Sequence, residues 1–238
     1  MELHIHKDYA DLSAAAANMI IDCVQENPQA LLCMATGDTP RLTYQLLAKR
    51  VLAENIDVSR CFFIALDEWL GVSPDNKGSC HWFLQEFLLR PMHIAPAQVH
   101  LFDAFAKDEQ AACETMNQLI AAKGGINLAL VGVGMNGHIG FNEPGTSVES
   151  LTHVALLDDT TQTVGQKYFS EKMEIKKGIT VGLQQVMAAQ KLLMMANGKK
   201  KAPVVSRLLT GDISNQFPAS LVRLLPQAVL MVDEEAAL

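Results

Sequence analysis

The 238-residue sequence has no basic surplus: 26 acidic residues stand against 19 Lys and Arg, a formal net charge of −7. Without a positive field, attraction to nucleic acid or to an anionic membrane surface is not expected, and any anionic ligand has to be held by locally placed donors. The sequence also lacks an apolar stretch long enough to span a bilayer. Its opening "MELHIHKDYADLSAAAANMI" has no basic segment followed by an unbroken apolar one, which excludes the pattern of a secretory leader. A cytoplasmic location is the expectation. Cysteine is sparse: Cys23, Cys33, Cys61, Cys80 and Cys113 are odd in number, scattered and free of any C-x-x-C spacing. Neither a disulfide frame nor a thiolate zinc site is expected, and buried reduced thiols are. Repeats, low-complexity tracts and Pro/Ser-rich linkers are absent too. One domain over residues 1–238 is the simplest division, and 49% hydrophobic content suffices for a sizeable core.

What is present alternates. "ALLCMA" (30–35), "CFFIAL" (61–66), "VHLF" (99–102), "INLALVGV" (126–133), "KLLMMA" (191–196) and "AVLMVD" (228–233) read as strands, several without polar alternation, as when both faces are covered. Helical patterns lie between them. Residues 11–26 place Leu12, Ala15, Met19, Ile20 and Cys23 on one face and stop before Pro28; 79–90 begin on Ser79 as N-cap and stop before Pro91; 108–122 begin on Asp108 and end at Gly124 and Gly125. Strand and helix in turn predict an α/β fold with a doubly wound, mostly parallel, Rossmann-like sheet and helices on both faces. Residues 141–180 are the least regular and suggest a surface excursion or lid. In such sheets ligands bind beyond the carboxyl ends of the strands.

Three loops at those ends carry chemistry. In "TGDTPR" (36–41), Thr39 as N-cap and Pro40 at the first helical position would open a helix, so that backbone N–H groups from Thr36 through Gly37 to Thr39, with the two threonine hydroxyls, face an anion. No G-K-[ST] follows, which excludes a Walker loop. Asp38 is awkward in such a cradle, and its carboxylate is expected to point outward. In "LDEWLG" (66–71), alternation in extended chain sends Asp67 and Glu68 to opposite sides, so only one can enter the crevice.

The third loop, "GVGMNGHIGFNEPG" (132–145), collects glycines around a histidine. Gly132 and Gly134 are expected to turn the chain off the strand, and Gly137 to clear space beside His138. Asn136 and Glu143 lie close enough in sequence to orient the ring or stabilise its protonated form. Elsewhere, His4 and His6 share a strand face, but no third ligand accompanies them, so no metal site is expected. Lys199, Lys200 and Lys201 begin a helix, where cations are unfavourable unless an anion is bound. Met187, Met194 and Met195 read as core.

In this order and spacing, "TGDTP", "LDEW" and "GVGMNGHIGFNEPG", continued by "ITVGL" (179–183), "GKKKA" and "FPAS" (217–220), resemble the glucosamine-6-phosphate deaminase family along nearly the whole chain. The "LDEW" pair and the Asn before Gly-His look closest to its galactosamine-6-phosphate isomerase branch. The resemblance implies conversion of a 2-amino-2-deoxyhexose 6-phosphate to a ketohexose 6-phosphate plus ammonia, with no cofactor. By motif position it implies Asp67 as the base at C2, and His138 with Glu143 for ring opening. It places the phosphate on the Thr36–Thr39 loop and Lys201, with Lys167 where relatives carry an arginine. Asn136 stands where the glucosamine enzymes have an aspartate; an amide would accept from the ring but bring no charge. The rival enzyme, 6-phosphogluconolactonase, shares the fold but reads D-E-R at Asp67-Glu68-Trp69 and lacks F-N-E-P. Sugar-phosphate-sensing regulators carry a DNA-binding segment ahead of the domain, for which the early first strand leaves no room. The partner expected is a small amino-sugar phosphate, and a homo-oligomer is left open.

Overall fold

Ten strands form in the computed structural model, which describes residues 1–238: β1 (Glu2–His6), β2 (Leu31–Met34), β3 (Phe62–Ala65), β4 (Asp67–Trp69), β5 (Val99–His100), β6 (Leu128–Gly132), β7 (His153–Leu156), β8 (Lys177–Thr180), β9 (Lys191–Ala196) and β10 (Ala228–Asp233). Seven make one sheet in the order β1-β10-β9-β6-β2-β3-β5, and every neighbouring pair is parallel. All four residues of β2 are buried, as are the first four of β6 and the last five of β9. Both faces of the sheet are therefore covered, which is why these strands read as unbroken apolar runs. The strand expected at 99–102 shrinks to Val99–His100, because it lies at the sheet edge with β3 as its sole partner. His4 and His6 sit on the opposite edge strand, beside the carboxylates of Glu2 and Asp11.

The connections are helices α1 (Tyr9–Glu26), α2 (Asp38–Ala53), α3 (Cys80–Leu84), α4 (Glu109–Ala122), α5 (Asp159–Gly165), α6 (Leu183–Met187) and α7 (Ala202–Thr210). Their starts follow local side-chain hydrogen bonds. Asp8 accepts from the Asp11 N–H, Ser79 from Trp82 and Asp108 from Ala111, each at 2.9 Å. Helix α1 thus begins two residues before the expected start. Helix α3 runs on as a π-helical turn over Gln85–Leu89 and ends ahead of Pro91.

From β2 the chain builds outward through β3 to β5, then returns to the other side of β2 with β6 and continues to β9 and β10. The loops leaving β2 and β6 consequently diverge and open a crevice between them. Residues 141–180 do not stay irregular. They supply β7, α5 and β8, and β8 pairs antiparallel with both β4 and β7 in a second, three-stranded sheet. A cluster of 61 buried apolar residues packs the large sheet; one of seven, including Trp69, Phe141 and Ile175, packs the small one.

Candidate active site

At the end of β2 the chain enters α2 through Gly37, whose φ of +112° a residue with a Cβ rarely adopts. A Cβ there would also meet the Tyr168 hydroxyl at 3.0 Å. Gly37 is the N-cap, not Thr39 as the sequence suggested, and no side chain caps the helix. Thr39 sits inside the first turn and donates its hydroxyl to Asn197 Oδ1 at 2.7 Å, while the Thr36 hydroxyl donates to Cys80 Sγ at 3.1 Å. The threonine hydroxyls thus hold neighbouring loops, and the uncapped backbone N–H groups are the donors left for an anion. The Asp38 carboxylate is exposed and paired with Arg41 at 3.1 Å and Lys167 at 2.9 Å.

Strand β4 separates its two acids. Asp67 lines the main cleft, whereas Glu68 turns away and accepts backbone N–H groups from Trp69, Cys80 and His81 at 2.8, 3.0 and 2.7 Å. Glu68 thereby anchors the start of α3 and brings Cys80 Sγ to 3.4 Å from Asp67 Oδ1. Burial pushes the Asp67 carboxyl up from 3.8 to about 6, with the Cys80 hydrogen bond and His138 acting against it. Burial likewise raises Glu68 to about 7 against the pull of its three N–H partners.

In the loop after β6, His138 Nδ1 lies 3.3 Å from Glu143 Oε2. Burial opposes ionisation of Glu143, but His138, Thr161 and Asn136 outweigh it and hold the carboxyl below its usual range. Asn136 does not touch the ring. Its amide nitrogen donates to Glu143 Oε2 at 2.8 Å and its oxygen accepts the His138 backbone N–H at 3.2 Å, so it orients the carboxylate instead. The glycine roles also differ from expectation. Gly134 is the one that clears room for the imidazole, since a Cβ there would lie 2.2 Å from Nε2; Gly137, at φ +89°, makes way for the Phe217 ring. Gly132 has open space before it and needs no positive φ.

After β9, Gly198 donates its N–H to the buried Asp233, and Lys199–Lys201 form a 3-10 turn into α7. Lys199 and Lys200 are exposed. Lys201 folds inward and donates to the Val133 carbonyl at 2.6 Å; burial, then Lys167, lowers its ammonium to about 8.

One cleft of about 450 Å³ gathers Thr36, Gly37, Asp38, Thr39, Asp67, Gly134, His138, Lys167 and Lys201 on its walls. Asn136, Gly137 and Glu143 stand behind it. A family model described as glucosamine-6-phosphate isomerases/6-phosphogluconolactonase matches residues 7–231. The chain belongs to this family. Glucosamine-6-phosphate deaminase 1 of Bacillus subtilis (strain 168) is 36% identical over 230 residues, 96% of this chain and 95% of that protein. Glucosamine-6-phosphate deaminase of Bacillus velezensis is 37% identical over 232 residues, 97% and 96% of the two chains. A solved structure described as a monomeric glucosamine-6-phosphate deaminase superposes with a TM-score of 0.96 at 36% identity, covering 100% of this chain and 99% of its own. The 6-phosphogluconolactonase of Trypanosoma brucei, at 20% identity, TM-score 0.80 and coverage of 99% and 97%, shares the fold.

Two neighbours of this family member's site carried no signal in the sequence. Thr161 lies in the irregular "DDTTQT" stretch, yet α5 brings its hydroxyl to 2.9 Å from His138 Nδ1. Cys80, read as a buried core thiol, also borders Asp67. Both contacts come from distant chain segments that no local periodicity links.

Proposed function

We propose that the protein converts glucosamine 6-phosphate to fructose 6-phosphate and ammonia. The observation that carries the reading is a buried acid, Asp67, and a carboxylate-backed imidazole, His138, on the walls of one hexose-sized cleft with lysines on the same walls. The phosphate would rest on the uncapped N–H groups of α2 with Lys201, and Lys167 would leave Asp38 to join them. That contact fixes the far end of the sugar and so the position of C1 and C2.

His138 opens the pyranose by moving the C1 hydroxyl proton to the ring oxygen, with Glu143 stabilising the imidazolium between the two transfers. Asp67 then removes the C2 proton from the aldehyde form while the carbonyl oxygen on C1 takes up a proton from the substrate ammonium, giving an enolamine with a hydroxyl on C1. The same carboxyl returns the proton to C1, water adds to the resulting C2 imine, and ammonia leaves. Each step is a proton transfer or an addition of water, so the chemistry requires no cofactor. A carboxyl near 6 is ionised at neutral pH and still basic enough to take a carbon-bound proton. Glucosamine is preferred over the C4 epimer because the full-length relatives described above carry that name.

Ammonia release is the deciding measurement, with glucosamine 6-phosphate and galactosamine 6-phosphate assayed side by side. Turnover of the glucosamine compound is expected; faster turnover of its epimer reassigns the substrate. Hydrolysis of 6-phosphogluconolactone without ammonia release from either sugar overturns the reading.

A further inference from the structure

Two groups approach the same nitrogen of His138. Thr161 Oγ1 is at 2.9 Å from Nδ1, and Glu143 Oε2 is at 3.3 Å, long for an N–H···O bond. The ionised Glu143 carboxylate only accepts, so a lone pair on Nδ1 would face it unfavourably. Nδ1 therefore carries the proton. The Thr161 oxygen, the nearer of the two at 2.9 Å, accepts it. Thr161 is 4% exposed, which keeps water from replacing it. The protein offers Nε2 no partner of its own, and the ring lines the cleft. Glu143 shares a loop with His138, but Thr161 arrives on α5, from the small-sheet excursion, and fixes the ring from a second side.

We propose that Thr161 is a positioning residue that holds His138 as the Nδ1–H tautomer, leaving the Nε2 lone pair for the sugar. The proposal rests on the reading of His138 as the ring-opening group. In that step the C1 hydroxyl proton passes to Nε2, the bond from C1 to the ring oxygen breaks as the carbonyl forms, and the proton passes on to the ring oxygen. An imidazole protonated on Nε2 instead meets the C1 hydroxyl with no base to offer. The excursion thus contributes to the chemistry through the orientation of one ring.

Thr161→Val keeps the side-chain volume and removes the hydroxyl, while Thr161→Ser keeps the hydroxyl. Nitrogen-15 spectra of the imidazoles, with the His138 signal identified by its loss in His138→Gln, are expected to show Nδ1–H in the wild type and in Thr161→Ser. In Thr161→Val, where only the longer 3.3 Å contact to Glu143 is left to hold the Nδ1 proton, an Nε2–H population is expected to appear. In parallel, kcat of the valine variant should fall about tenfold or more with KM changed less than about threefold, and serine should restore it. Thr161→Ala, should valine impair folding, is expected to behave as valine does. An unchanged tautomer in the hydroxyl-free variants overturns the proposal, whether or not kcat falls, and so does an unchanged kcat. If the wild type releases no ammonia from either amino sugar, the functional reading fails while the spectra still decide the tautomer.

Discussion

The two sheets meet at the cleft but are held very differently. Beneath the parallel sheet lie 61 buried apolar residues, and its strands β2, β6 and β9 end in the loops that carry Gly37, His138 and Lys201. The small antiparallel sheet rests on seven, and its excursion brings Thr161, Lys167 and Tyr168 on a short helix and one 3-10 turn. Asp67 sits at the joint: the preceding Leu66 N–H donates to Met34 in the parallel sheet, while Asp67 pairs with Thr180 in the small one. In the proposed reaction His138 thus stands on a loop of the larger core and Asp67 at the joint, while Lys167 and Tyr168, which line the same cleft, come from the smaller. One contact across the seam between them is weak. The ion pair of Asp38 with Lys167 has side chains 58% and 50% exposed, and such pairs contribute about 0.5 kcal/mol.

Variants at the joint and rim should therefore cost far more activity than variants at the seam. Asp67→Asn is expected to lower ammonia release by at least about 10³-fold, checked by steady-state kinetics. It should also stabilise the fold. With its carboxyl raised from 3.8 to about 6, the folded protein keeps a proton that the unfolded chain loses, so stability falls as pH rises through that window and stays lower above it. The full shift corresponds to about 3 kcal/mol. Thermal melts should show Asp67→Asn several degrees more stable at pH 8, with a smaller gain at pH 5; equal melts at both would show that the carboxyl is not held in an apolar setting.

His138→Gln should reduce kcat by about 10²-fold or more on the cyclic sugar, and less on an analogue locked in open-chain form. Equal losses on both would separate His138 from ring opening. Lys201→Ala is expected to raise KM for the phosphorylated sugar about 10- to 100-fold. Because its ammonium is lowered to about 8, the wild-type KM should itself climb above that pH as the charge is lost. At the seam, Asp38→Asn frees Lys167 for the phosphate and should lower KM about two- to fivefold, an effect that fades in high salt. A seam variant as damaging as His138→Gln would end the distinction between the two sheets.

Much of this arrangement was legible because its causes are local. "AVLMVD" and "KLLMMA" match β10 and β9 residue for residue, since burial on both faces selects an unbroken apolar run. Ser79 and Asp108 announced their helices by hydrogen bonds to residues three positions on. Alternation along an extended chain sent Asp67 and Glu68 to opposite sides. The partners that were not legible are remote ones. Strand β8 takes its register from β4, more than a hundred residues earlier, so its four residues carry no signal of their own. Thr39 looked like a cap until Asn197, 158 positions away, claimed its hydroxyl. Asn136 had the right proximity to His138, but the donor and acceptor ends of its amide answer Glu143 and a backbone N–H in a geometry that only the folded loop defines.

All five cysteines are free and buried, distributed between the two cores: Cys23, Cys33, Cys61 and Cys113 within the large one, Cys80 within the small. Each thiol is shielded until the layer around it opens, so the chain carries built-in reporters of its own breathing. Under a thiol-labelling reagent, modification of Cys80 ahead of Cys33 would time the parting of the excursion from the sheet that supports it, with no probe added to the sequence.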